Sequence, residues 1–237
     1  MNNRTMKKGI KLPLAVVAAV LWTATATADV IIFREGLDSY TGSSVARILP
    51  SPGSTSLDEA TFTLKNSTKA RALLRFDDLF GSDPGQIALD MDLTITSATI
   101  TMRRSTGASP RGTSLFRNLT SYDPTTVTYA NYSSPATNPV AGTNYQTIAD
   151  DGFSTNTNTT YDFDVTATLQ AWLATPSTNL GWYVSNTSGS NDVTWHGITA
   201  TTEAWRPTLS ITVIPEPSTF LMVGLGLGAL VIFRRRR

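Results

Sequence analysis

A chain of 237 residues, 41% of them hydrophobic, is long enough for a sizeable core; with no cysteine it must hold that core by packing alone, and disulfides, thiol catalysis, thiolate metal centres and c-type haem are excluded. Its formal charge of +1 conceals a separation: eight of the nineteen Lys and Arg residues sit at the two ends, whereas between residues 29 and 217 eleven bases face all eighteen acids, a net charge near −7. The only adjacent bases in that acidic middle are Arg103 and Arg104, which excludes nucleic acid as a partner, because neutralising phosphates requires a basic face.

The chain opens on Arg4, Lys7, Lys8 and Lys11, runs through an apolar stretch from Leu12 to Trp22, and reaches the small residues Ala26-Thr27-Ala28. Basic, apolar and small-residue segments in that order predict a signal peptide over residues 1–28, with Sec export and signal peptidase cleavage after Ala28 governed by Ala26 and Ala28.

From residue 29 onward the sequence is dense in Thr, Ser, Asn and Gly, with short alternating runs between turn residues. Strands are predicted at 30–35, 61–64, 70–77, 97–103, 113–119, 159–163, 181–185, 193–197 and 208–213. In 70–77, Ala72, Leu74 and Phe76 point one way and Arg71, Leu73 and Arg75 the other; in 97–103, Ala98, Ile100 and Met102 point inward. Residues 120–151, with Pro124, Pro135 and Pro139, read as a long surface excursion. Val165, Leu169, Trp172 and Leu173 follow a helical spacing, so one short helix is expected over 166–174, with Asp164 or Thr166 as its cap. Pro176 and Asn179-Leu180-Gly181 then turn the chain into the next strand. The expected fold is all-β, a jelly-roll-like β-sandwich with one short helix, between an N-terminal signal peptide and a C-terminal membrane tail.

That tail begins at Pro215-Glu216-Pro217, continues without charge from Ser218 to Phe233, and ends in Arg234, Arg235, Arg236 and Arg237. Its apolar run from Phe220 to Phe233 is 14 residues, short of the roughly 20 a permanent span uses. The prolines cannot continue a helix, so the segment ahead of the membrane is extended and accessible, and the arginines stop the span at the cytoplasmic surface. Tripeptide, short span and basic end together resemble the PEP-CTERM sorting signal of Gram-negative bacteria. The resemblance implies recognition by an exosortase, transient inner-membrane retention, cleavage near Pro215-Glu216-Pro217, and delivery to the cell surface or beyond, often where extracellular polysaccharide is made.

A second resemblance covers residues 30–214. Ala70-Arg71-Ala72-Leu73-Leu74-Arg75-Phe76-Asp77, Ile95-Thr96-Ser97-Ala98, Thr126-Val127-Thr128-Tyr129, Tyr161-Asp162-Phe163-Asp164-Val165-Thr166 with Leu169-Gln170-Ala171-Trp172, Asn179-Leu180-Gly181-Trp182 and Arg206-Pro207-Thr208-Leu209 stand in the order and spacing of the DNRLRE domain family. That family is related to carbohydrate-binding modules described as alginate-binding. The likeness implies a jelly-roll sandwich over 29–214 with a non-catalytic wall or polysaccharide-binding role. The chain departs from the family at Tyr122-Asp123-Pro124-Thr125 and at His196-Gly197-Ile198, positions that bear on a sugar site rather than on the fold.

Sugar recognition needs aromatic faces and hydrogen-bonding or charged groups. Trp182, Tyr183, Trp195 and Trp205 are candidates for the first and Arg71, Arg75, Arg103, Arg104 and Arg206 for the second, with core packing and solvated strand faces as the competing explanation for both sets. The residues assigned to carbohydrate are Arg71, Arg75, Trp182, Trp195 and His196. His196, the sole histidine, has no accompanying nucleophile elbow, so no catalytic residue is assigned. Asp162 and Asp164 have a spacing that suits glycoside hydrolysis but suits a helix cap as well. No cofactor is expected; calcium is the one alternative, and no Asp-x-Asp-x-Asp loop supports it. The sequence thus reads as an exported, non-enzymatic envelope or matrix protein associating with extracellular polysaccharide; the alternatives are a protein-binding matrix component and, third, a polysaccharide lyase or hydrolase.

Overall fold

Segments that alternate apolar and polar residues bury one face each, and in the computed structural model they assemble as two six-stranded sheets packed face to face. The structure describes residues 27–50, 55–89, 93–107, 110–134, 138–187 and 192–215. In chain order the first strands are β1 (Asp29–Arg34), β2 (Ser43–Ile48), β3 (Thr55–Leu57), β4 (Thr61–Lys65), β5 (Arg71–Phe76) and β6 (Leu93–Gly107). They are followed by β7 (Arg111–Arg117), β8 (Asp151–Thr155), β9 (Thr160–Asp164), β10 (Trp182–Asn186), β11 (Asp192–His196) and β12 (Thr208–Pro215). Two short helices, α1 (Tyr129–Ser133) and α2 (Thr166–Ala174), complete the fold.

The first sheet has the order β1-β12-β6-β11-β4, with β9 also paired to β6. Its fifteen-residue rail, β6, pairs with β12 over residues 93–101, with β9 over 99–103 and with β11 over 104–107. The second sheet has the order β3-β2-β5-β10-β7-β8. Between the sheets, Phe33, Phe62, Leu64, Ile100, Met102, Trp195, Leu209 and Ile211 of the first meet Val45, Ala72, Leu74, Phe76, Leu115, Trp182 and Val184 of the second. Burying an apolar side chain of this size contributes about 1.5–3 kcal/mol, so this one layer stands in for the absent disulfides.

The helix expected over 166–174 forms over those residues, and it buries Leu169 and Trp172 at one end of the sandwich. Val165 occupies the N-cap position, and no side chain caps it there. Asp164 instead accepts from the Thr166 amide (2.9 Å) and hydroxyl (2.6 Å), while Thr166 Oγ1 accepts from the Ala98 amide (2.9 Å), which fastens the helix start to β6. After α2 the chain enters β10 through Gly181, at φ +74; a Cβ there would collide with the carbonyl oxygen of Leu74.

The surface excursion expected over 120–151 is corrected by the structure. Its central part lies on the outer face of the second sheet and forms a second core with it, containing Ala46, Ile48, Leu73, Val127, Tyr129, Tyr132 and Tyr183. Tyr183 stacks on Tyr145 (centroids 4.2 Å apart, 9° between planes) and on Tyr132 (6.0 Å, 8°). The Tyr132 hydroxyl donates to Asn118 Oδ1 (2.8 Å), and Asn144 Nδ2 donates to the Tyr132 carbonyl (2.7 Å). Inside the excursion, α1 begins with a reciprocal cap: Asn131 N–H donates to Thr128 Oγ1 and Thr128 N–H to Asn131 Oδ1. Leu73, on the outward side of β5 as its alternation requires, is buried because this layer covers it.

Asp150 closes the excursion and ties three elements together. Its carboxylate accepts from Trp182 Nε1 (2.8 Å) and from Thr168 Oγ1 (2.8 and 3.0 Å to its two oxygens). Burial pushes its acid dissociation above the ordinary 3.8, opposed by those two donors. The folded state therefore holds the proton more tightly than the unfolded chain, and stability contributed by the neutral form falls as pH rises from 3.8 through the raised value. Asp150→Asn should keep an acceptor for Trp182 and flatten this slope in urea titrations run at several pH values. Asp150→Ala, which strands two buried donors, should cost about 2–4 kcal/mol in the same titrations.

Candidate functional site

The five residues assigned to carbohydrate do not converge. Arg71 and Arg75 project from the outward side of β5, where both are used by the fold. Arg71 Nη1 donates to the carbonyls of Lys65 (2.8 Å) and Ala70 (3.0 Å), locking the β4–β5 turn. Arg75 grips Asp77 Oδ2 through Nε (3.0 Å) and Nη2 (2.7 Å), reaches the Tyr122 carbonyl (3.2 Å), and lies over the Tyr122 ring. Trp182 and Trp195 are fully buried between the sheets. Neither indole presents a face to a ligand, so the assignment of these two to sugar stacking is corrected on burial alone. Trp182 is engaged with Asp150 and Trp172, and Trp195 with Tyr161 and Phe163.

Arg104, from the wider candidate set, is also inside: its Nη1 donates to the Thr155 carbonyl, and burial lowers its proton affinity from the ordinary arginine value. Arg206 is tied to the carbonyls of Ala200 (3.0 Å) and Glu35 (2.9 Å).

His196 is different. It ends β11 on the outer face of the first sheet, opposite Thr61 of β4, with Trp195 turned inward beside it. Its ring packs against Trp205 (centroids 4.7 Å apart), and the guanidinium of Arg103, outward on β6, lies over the same indole at 5.1 Å. Trp205 belongs to a short turn, Glu203–Trp205, and keeps 38% of its surface exposed. Arg34 of β1 holds that turn through Glu203 (2.8 Å). An indole braced by a guanidinium and an imidazole from neighbouring strands is a fixed aromatic platform open to solvent. Partial burial, and secondarily the Arg103 charge, lower the His196 proton affinity from its ordinary 6.5, so the imidazole is neutral at pH 7.

No carboxylate or hydroxyl is hydrogen-bonded to the His196 ring among the described residues, and the acids considered for hydrolysis are engaged elsewhere. Asp162 accepts from Thr101 (2.6 Å) and Asp164 holds the start of α2. No group of three or more His, Asp or Glu residues is arranged to hold a metal ion among the described residues. A hollow of about 490 Å³ beside β1, lined by Phe33, Tyr40, Asp38, Asp78 and Asp83, includes none of Arg103, His196 and Trp205 in its lining.

Sequence reasoning reached Trp205 and Arg103 only as members of the wider set. The available signal is that Trp205 stands in Thr202-Glu203-Ala204-Trp205, which alternates with no strand period, so its aromatic ring belongs to a loop rather than to a core-facing strand position.

Ala28 is exposed immediately before β1, and Ala26 lies outside the described residues. Pro215 is the exposed last residue of β12, opposite Leu93, while Glu216, Pro217, Arg234, Arg235, Arg236 and Arg237 lie outside the described residues. Asp29 pairs with Val213, so both ends of the folded part are on neighbouring strands at one end of one sheet. Among the described residues no helix is long and apolar enough to cross a membrane.

These features define an all-β, two-sheet domain whose final strand runs directly into a processing segment. Residues 213–237 match the family model of the PEP-CTERM protein-sorting motif. The motif indicates a protein that is exported and sorted by exosortase. No curated protein matches the chain.

His196 is the only histidine, so its titration can be followed by NMR without assignment. Arg103→Ala should raise its pKa toward 6.5, and Trp205→Ala, which returns the ring to water, should raise it further because burial is the larger cause.

Proposed function

We propose that the protein is a non-catalytic component of the cell envelope or extracellular matrix that associates with carbohydrate through the Trp205 platform. On this reading residues 1–28 are removed by signal peptidase after Sec export, residues 29–214 are a DNRLRE-like sandwich, and residues 215–237 hold the chain transiently at the inner membrane until exosortase removes them. The observation that carries the carbohydrate reading is the exposed indole braced by Arg103 and His196, supported by the order of DNRLRE-like segments along the chain. A sugar's apolar face stacks on such a ring without any catalytic group, and the acids nearby are committed, Glu203 to Arg34 and Asp162 and Asp164 to threonine hydroxyls.

A second reading, a matrix component that binds protein and no sugar, is favoured by one observation. The edge strand β1 exposes Val30 (56%) and Ile32 (45%) on the same outer face.

Mass spectrometry of the protein recovered from its cells should find a C-terminus near Pro217 and an N-terminus at Asp29; retention of Arg234 to Arg237 would remove the processing reading. A glycan array probed with that mature protein should give signals that Trp205→Ala abolishes, whereas uniform silence from folded protein favours the protein-binding reading.

A further inference from the structure

The outer face of the first sheet is a plane of hydroxyl groups in register. Arg34 pairs with Thr208, Thr208 with Thr101, and Thr101 with Asp162, a straight row across four strands. The next row is Ile32, Ser210, Thr99 and Asp164. Strands lie about 4.8 Å apart and successive outward residues about 6.8 Å apart, so each row extends about 14 Å and the two make a flat lattice of polar groups. Arg103 follows Thr101 on the same face, which places the Trp205 platform beside this lattice.

Most charges of this face are already engaged within the protein. Arg34 is paired with Glu203 (2.8 Å) and Lys65 with Asp192 (2.7 Å). Arg103 lies on Trp205, and His196 is held below its ordinary 6.5. Asp162 and Asp164 add two carboxylates, each accepting from a threonine. Among the described residues the face thus presents four acids against three bases, on a mature chain whose net charge is near −7. A polyuronate carries one negative charge per sugar and would meet a single unpaired cation in a negative field. An uncharged polysaccharide meets no such opposition: its hydroxyls can donate to the threonine and serine oxygens, which stay open as acceptors although Thr101 and Thr208 give their own protons to Asp162 (2.6 Å) and the Arg206 carbonyl (3.1 Å), and its apolar sugar faces can stack on Trp205.

Building on the carbohydrate reading above, we infer that the ligand of this face is a neutral polysaccharide, laid on the Thr101–Thr208 and Thr99–Ser210 rows and anchored by Trp205. Selectivity comes from the absence of a cationic track rather than from a sugar-specific pocket.

The test uses the processed protein recovered from the cells that make it. Its affinity is measured for a soluble β-1,3-glucan, a β-1,4-glucan and a galactomannan, and for alginate, each at low and high salt, with Trp205→Ala and Thr101→Val as variants whose fold is checked by circular dichroism. The expected result is binding to at least one neutral polymer that high salt does not weaken, that falls about tenfold or more with Trp205→Ala and measurably with Thr101→Val, and that exceeds binding to alginate. Salt-sensitive binding to alginate in preference to the neutral polymers would overturn the inference while leaving the carbohydrate reading intact. Neutral binding indifferent to both variants would overturn the assignment of the surface. Silence toward all four polymers would overturn the carbohydrate reading itself.

Discussion

The ladder between β6 and β12 is the constraint from which the rest follows. It is the longest pairing among the described residues, and it sets Leu209, Ile211 and Val213 on the core side and Thr208, Ser210 and Thr212 on the water side in one stroke, because a strand's side chains alternate. A one-residue slip would put three threonine-class residues into the core and three aliphatic residues into water. The same register that closes the hydrophobic layer therefore lays out the hydroxyl rows of the opposite face.

The second sheet solves a different problem. Its outer face is not left to solvent: the excursion after β7 folds back on it, and Tyr132, Tyr145 and Tyr183 make a stacked aromatic seam with Asn118 and Asn144 completing the hydrogen bonds. Burial drives the dissociation of Tyr132 and Tyr183 well above that of free tyrosine, so both hydroxyls stay protonated and that of Tyr132 remains a donor to Asn118 under any ordinary condition. The molecule thus has one face armoured by its own chain and one face open. Arg71 and Arg75 belong to the armoured side and Trp205 to the open one.

Much of the architecture was legible because it rests on local alternation. The strands that became β5, β6, β11 and β12 and the helix over 166–174 could be read from residue spacing, as could the inward set Ala98, Ile100 and Met102. The strands β2, β3 and β8 and the helix α1 were not legible. The burial of Ala46 and Ile48 in β2 depends on β5 beside it and on the layer above, neither of which leaves a periodic trace. The site suffered from the same limit. A tryptophan on a strand and a tryptophan in a loop look alike in composition, and only the packing of Trp182 and Trp195 between sheets separates them from Trp205. Asp164, by contrast, could be placed at the entrance of the helix from its neighbours Val165 and Thr166.

The pairing of Asp29 with Val213 has a temporal meaning for an exported chain. β1 is the first strand of the fold to be synthesised and β12 the last, and among the described residues β1 has no other strand partner. Until β12 is in place, the leading strand keeps its backbone donors and acceptors unmatched and its core-facing Ile31 and Phe33 uncovered, the condition most open to mispairing. Closure of the sheet is therefore tied to completion of the chain, and the sorting motif begins within the very strand that closes it.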